Sequence, residues 1–246
     1  DVYKRQDLES RAEALIVPLF ESYLEHCQSP MAARTTAHRG KKEVDQYAME
    51  AWQARVVKVA SEAQFETQYH GDADEDLLRK VAALSELPSG PNNVRQMLAQ
   101  HGIQLVIVPH LPKTYLDGAV MMLDIPRPVI ALTLRYNRLD NFWFTLMHEL
   151  AHLVRHIKEN CVVILDDLDH REELSAMETE ADILATNALI SEHRWDSDRA
   201  DRIWSDGSPS DVRNWARELK VHPAILAGRI RRRRFERIGG DAEAYT

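Results

Sequence analysis

The chain has 246 residues, 44% of them hydrophobic and 28% charged, and carries a formal net charge of −8. Those proportions suit a soluble globular protein with one large domain, or one domain and an appendage. They exclude a membrane span, because no apolar run approaches the ~18 residues one requires, and the acidic balance argues against general nucleic-acid affinity.

Two cysteines, Cys27 and Cys161, cannot form a disulfide framework and point to a reducing cytoplasm. The opening DVYKRQ lacks both an initiator methionine and an apolar signal region, so it reads as the middle of a longer frame. Residues 7–27 have helical apolar spacing, interrupted near Pro18, and QSPMAARTTAHRGKK reads as a linker. A second helical stretch, 43–63, puts Met49, Trp52, Val56 and Val59 on one face. GDADEDLLRKVAALSELPSGP gives an acidic helix start, a short helix and a turn. NNVRQMLAQHG is another helix, with Gly102 suited to a left-handed cap.

The texture then changes. IQLVIVPH, GAVMML and PVIALTL are short and rich in β-branched residues, and the spacing predicts three strands in an antiparallel meander. Helix resumes at Asp140, a residue able to cap NFWFTLMHELAHLVRHI. A polar loop, KENCVVILDDLDHR, leads to a helix from about Glu172 to Ile190. Two more helices are expected at SPSDVRNWAREL and, past Val221, His222 and Pro223, at AILAGRIRRRRF. The resulting fold class is α+β, mainly helical with a small antiparallel sheet. The domains expected are a helical region and linker over 1–75, the main domain over 76–234, and a flexible tail over 235–246.

HELAH is an H-E-x-x-H motif inside an apolar run. On a helix, residues four apart share a face, so His148 and His152 can offer imidazole nitrogens to one ion, with Glu149 beside them. Unpaired polar groups in such a run would be costly. Zinc suits the set, because it binds imidazole well and keeps an open position for water. Glu149 is placed to take that water's proton and is not the obvious ligand.

A third ligand comes from SAMETEADILATNALI. Glu178 and Asp182 are four apart and share a face, whereas Glu180 points about 200° away from Glu178. Glu178 is the expected ligand, and Asp182 the acceptor of a ligating histidine's second N–H. His156 lies on the same stripe but about a turn too far to close a tetrahedral site. His170 and Tyr136 are weaker candidates for a substrate-facing donor, and Cys161 for a thiolate. RIRRRRFER, at Arg229 to Arg237, reads as a solvated helix end suited to the dipole, with contact to nucleic acid or an acidic partner as its alternative.

The strand PVIALTL, then NFWFTLMHELAHLVRH, then ETEADILATNALI, together resemble the ImmA/IrrE family of zinc metallopeptidase-like proteins. AMEAWQARV, LSELPSGP, HGIQLVIVPHLPKTYLDGA and VHPAILAGRIRR resemble the variety found C-terminal in HigA-like antitoxins. The resemblance spans roughly residues 45–235. It implies a gluzincin-like H-E-x-x-H core, zinc on His148, His152 and Glu178, Glu149 as base, and hydrolysis of a peptide bond in a regulatory protein.

Relatives with the antitoxin label carry an upstream helix-turn-helix, and residues 1–45 do not hold a complete one. The leading expectation is therefore a cytoplasmic zinc endopeptidase whose partner is a protein substrate, toxin or repressor, with the edge of GAVMML offered to an extended peptide. DNA contact is expected only through an upstream domain or the cluster Arg231 to Arg234. The alternative is a HigA-like antitoxin or transcription regulator with a structural or sensing metal site.

Overall fold

A computed structural model describes residues 44–63, 67–123, 127–157 and 171–237, together with Ala14, Val17, Pro18, Glu21 and Tyr23. Those five residues are helical, and Tyr23 is buried with its hydroxyl 3.4 Å from Gln53 Oε1. Cys27, Cys161, His170 and the loop that carries the last two lie outside the described residues.

Helix α1 (Gln46–Glu62) starts where Asp45 accepts from Ala48 N at 3.1 Å, satisfying an amide the helix leaves without a partner. It buries Met49, Trp52, Val56 and Val57. Trp52 Nε1 donates to the Val108 carbonyl at 3.0 Å, tying the helix to the sheet region. Helix α2 (Glu75–Ala83) is capped by Asp74 and has Glu75 and Asp76 in its first turn, where acids suit the dipole. Helix α3 (Gly90–Gln100) leads to Gly102, whose φ is +72°. A Cβ there would lie 2.4 Å from Tyr69 N, so glycine is required for both conformation and space.

Strands β1 (Gln104–Ile107), β2 (Gly118–Leu123) and β3 (Arg127–Leu132) form one sheet in the order β1-β3-β2. β2 pairs antiparallel with β3, from Gly118 opposite Leu132 to Leu123 opposite Arg127. β1 instead pairs parallel with β3, from Gln104 opposite Val129 to Ile107 opposite Leu132. The sheet is mixed, and the expected antiparallel meander is corrected. The physical reason lies in the connections. Three residues separate β2 from β3, a hairpin length, but ten separate β1 from β2. The longer stretch lets the chain pass the middle position, so β2 occupies the far edge. The end of that stretch is pinned beside β3, where Thr133 Oγ1 donates to the Leu116 carbonyl at 2.8 Å and Thr133 N to the Asp117 carbonyl at 2.9 Å.

Alternate side chains of the strands enter two cores. Leu105, Val120, Met122, Ile130 and Leu132 face the helical layer, and Ala119, Met121, Leu123, Val129 and Ala131 face α1. With both faces covered, the strands read as near-continuous apolar runs.

Helix α4 (Leu139–Arg155) lies at the centre of the helical layer, packed on the sheet and on α2, α5 (Arg171–Leu189) and α8 (Pro223–Arg237). Its N-cap is Arg138, whose side chain makes no capping bond. Asp140, expected as the cap, sits in the first turn and accepts from Arg138 Nε at 3.1 Å. Helix α6 (Ser197–Asp206) was not expected from the sequence. Asp196 caps it at 2.8 Å to Arg199 N, but only Ala200 is buried, with Ile203 partly buried beside it, so its apolar stripe is short and lies in a polar segment. Helix α7 (Pro209–Leu219) opens on a capping box between Ser208 and Asp211 and ends at Lys220, in the left-handed region with φ of 56°. Among the described residues, no helix is long and apolar enough to cross a membrane.

Candidate metal centre

Helix α4 turns His148, Glu149 and His152 inward, where they are 3%, 2% and 2% exposed. Uncompensated polar groups at that depth would cost several kcal/mol, about 1–3 for each missing hydrogen bond and more for a charge. The compensation comes largely from α5. Glu178, also buried, brings Oε2 to 3.0 Å from His148 Nε2 and Oε1 to 3.5 Å from His152 Nε2. The two Nε2 atoms are 3.0 Å apart, and the rings meet edge to face at 82°. Ligand atoms of all three residues lie within 4.8 Å of one another.

The outer nitrogens are also engaged. Asp182 Oδ1 lies 2.9 Å from His148 Nδ1. By accepting Nδ1–H, the carboxylate fixes the tautomer that turns the Nε2 lone pair inward. His152 Nδ1 lies 2.8 Å from His156 Nδ1, and His156 Nε2 lies 3.3 Å from Glu180 Oε2. His156 and Glu180 are therefore partners of the cluster's outer edge and lie outside its centre.

This donor set fits a cation. Two imidazole lone pairs and a carboxylate facing one another at about 3 Å repel unless positive charge lies between them. Donors ~2.0–2.1 Å from a tetrahedral zinc lie about 3.3 Å apart, and the observed separations of 3.0, 3.0 and 3.5 Å bracket that value. The electrostatics agree. Burial disfavours charge on His148, but hydrogen bonds to Asp182 and Glu178 and the charge of Glu149 outweigh it and raise its pKa to about 10. Burial would likewise raise Glu178, yet the hydrogen bonds from His148 and His152 hold its carboxyl well below the usual range.

Glu149 points toward the start of β2. A Cβ on Gly118 would lie 2.7 Å from Thr145 Cγ2 and 3.0 Å from Glu149 Oε1. The absence of a side chain there gives the carboxylate its place beside a strand at the edge of the sheet. The neighbouring Asp117 is partly buried, and that burial pushes its carboxyl up against the opposing charges of Arg135, His110 and His148. Arg135 reaches to within 4.0 Å of Asp117 Oδ1 and lies over the rings of Tyr136 and Tyr115, at 4.9 and 5.6 Å from their centroids. Tyr136 thus stacks on Arg135.

Residues 99–231, more than half of the chain, match the model of a peptidase family described as the IrrE N-terminal-like domain. The chain belongs to the IrrE N-terminal-like domain family. The matched residues contain the whole sheet, α4, α5 and the cluster between them. No curated protein and no solved structure matches the chain.

Two contacts around this IrrE N-terminal-like site were not visible in the sequence. One is the packing of Gly118 on Glu149, signalled only by a glycine opening an otherwise apolar strand. The other is the basic run of α8. Arg231 Nη1 lies 3.7 Å from Asp140 Oδ2, Arg232 Nη2 lies 3.7 Å from Asp182 Oδ2, and Arg233 Nη2 lies 3.4 Å from Asp201 Oδ2. These three arginines stay partly exposed, and each turns toward an acid on another helix. Spacing along α8 could not name partners so distant in sequence.

Proposed function

We propose that this chain is a zinc-dependent endopeptidase in which His148, His152 and Glu178 hold the ion and Glu149 is the general base. The observation that carries the reading is the buried convergence of those three donors, with Asp182 on His148 Nδ1 and Glu149 directed to the edge strand. A site that only held a structural ion would have no use for an acid beside the donor set. When bound, zinc supplies a Lewis acid that lowers the pKa of a water toward ~7 and polarises a carbonyl.

The protein's own groups do the rest. Asp182 and His156 keep the two imidazoles oriented, so their Nε2 atoms stay committed to the centre. Glu149 accepts the proton of the attacking water and returns it to the departing amide nitrogen, so that the C–N bond breaks and the water's elements are shared between the two new termini. Among the described residues β2 is an edge strand, and an extended segment of a protein partner can add to it through main-chain hydrogen bonds that present its scissile bond to Glu149. A regulatory protein in the cytoplasm is the proposed substrate, in keeping with the family membership.

The decisive variant is Glu149→Gln, which keeps shape and polarity but cannot take the proton. It should retain metal and fold, trap an uncleaved partner in a pull-down, and lower cleavage of that partner by at least ~10²–10⁴-fold. Cleavage near the wild-type rate would remove Glu149 from the mechanism. A wild-type chain that holds zinc and its partner without cutting it would favour an antitoxin or transcription regulator with a sensing metal site.

A further inference from the structure

A second concave site lies behind the metal cluster, on the far side of Asp182, and no step of the proposed hydrolysis uses it. A cavity of about 330 Å³ opens between the start of α4, the end of α5, Trp195 and α8. Its size is at the lower end for small-molecule sites, and its wall is of the kind such sites have. Phe144, Leu189, Trp195 and Ile225 supply apolar and aromatic surface.

The charges in the wall are unequal. Arg229, Arg232 and Arg233 line it against Asp140 and Glu192. Asp140 is already met by Arg138 and Arg231, neither of which lines the cavity. Arg232 and Arg233 in turn meet Asp182 and Asp201 behind the wall, and Asp201 also meets Arg237. The charged lining and these partners together are six arginines (Arg138, Arg229, Arg231, Arg232, Arg233 and Arg237) against four acids (Asp140, Asp182, Glu192 and Asp201), so positive charge predominates around a partly enclosed space.

Two of the guanidiniums are held in place. Arg229 lies over the Trp195 ring, 4.3 Å from its centroid, and donates to the Ile190 carbonyl. That hydrogen bond uses one of five N–H donors. Arg232 lies over Phe144 at 5.4 Å. A guanidinium laid on a ring keeps its donor edge in plane, ready for the paired oxygens of an acid group. Burial lowers the pKa of Arg229; the charge of Glu192 opposes that shift and the nearby charge of Arg232 adds to it. An anion between them would relieve that penalty. Gly228 keeps the wall tight, since a Cβ there would lie 2.6 Å from Asp140 Oδ2.

We propose that this cavity binds a small organic anion, with a carboxylate or phosphate on the N–H edges of Arg229 and Arg232 and a ring-sized apolar body against Trp195, Phe144 and Ile225. The site is independent of the peptidase reading and stands or falls without it. Its volume of about 330 Å³ favours a compact molecule over a polymer such as nucleic acid.

The test uses the full chain loaded with zinc, titrated by calorimetry with benzoate and phenyl phosphate beside inorganic phosphate and benzyl alcohol. Benzoate or phenyl phosphate should bind one per chain with a Kd of about 1 mM or tighter, as expected of a ligand of that size in a matched site. Inorganic phosphate and benzyl alcohol, which each supply half of the chemistry, should bind at least ~10-fold more weakly, the factor of one charge-assisted hydrogen bond. Arg229→Gln should weaken binding by a similar factor. Because Arg229 also braces Ile190, Thr186→Phe serves as a second variant that fills the cavity and leaves every arginine in place. Absence of saturable binding by both aromatic acids overturns the proposal. So does binding that survives both variants, or binding matched by benzyl alcohol or by inorganic phosphate.

Discussion

Replacing Asp182 by alanine is the sharpest probe of how the metal site is held. Asp182 Oδ1 lies 2.9 Å from Nδ1 of a histidine that is 3% exposed, so no bulk water stands ready to replace it. Without the acceptor, His148 loses the bond that sets its tautomer, and its Nε2 must be oriented by Glu178 alone. Loss of such a partner weakens metal binding by ~10–100-fold, which corresponds to about 1.4–2.7 kcal/mol. Competition against a chromophoric zinc chelator measures it directly, with Glu178→Ala as the reference for loss of a donor. Arg232→Gln is the matched control. Its guanidinium touches the same carboxylate from the solvent side at 3.7 Å and is 38% exposed. A half-exposed pair of that kind contributes ~0–1 kcal/mol, so the control should change zinc affinity no more than about five-fold. An Asp182→Ala protein with wild-type affinity would refute the orienting role, and a loss as large as that of Glu178→Ala would make Asp182 a ligand.

Two further outcomes follow from the same geometry. Gly118→Ala should destabilise the fold by ~1–3 kcal/mol through overpacking, because its methyl would meet Thr145 Cγ2 at 2.7 Å and crowd Glu149. Thermal unfolding together with zinc content will show whether stability drops while the metal is retained. In the metal-free chain, His148 is raised from 6.5 to about 10, so its contribution is complete below pH 6.5 and disappears as pH rises through about 10. Glu178 is lowered from 4.5, so its contribution is complete above pH 4.5 and is lost in acid. The stability difference between chelator-treated wild type and Glu178→Gln should therefore be greatest between pH 4.5 and 6.5. A difference that instead grew up to pH 9 would contradict the charge pattern described.

Much of the site was legible in the sequence because helical periodicity is local. His148 and His152, or Glu178 and Asp182, need only the four-residue repeat to share a face, and the structure brings both pairs together across α4 and α5. His156 lies outside the three converging donors, and its use as the partner of His152 Nδ1 depends on side-chain rotation that spacing does not encode. The strands were found at nearly their observed positions, whereas their pairing was not. Alternation and β-branching define a strand, but which neighbour β1 selects depends on where a ten-residue connection carries the chain. Helix α6 escaped for the opposite reason. Its polar turns are held by the Asp196 cap and by Asp201, which meets Arg233 and Arg237, and its apolar stripe, Ala200 and Ile203, is too short to read.

The central claim is that His148, His152 and Glu178 hold one zinc ion, and elemental analysis of the chain purified without chelator tests it most directly. The account predicts one zinc per wild-type chain and its loss from Glu178→Ala, with helical content retained in both. A wild-type chain without stoichiometric metal, or a Glu178→Ala variant that retains a full equivalent, would contradict it.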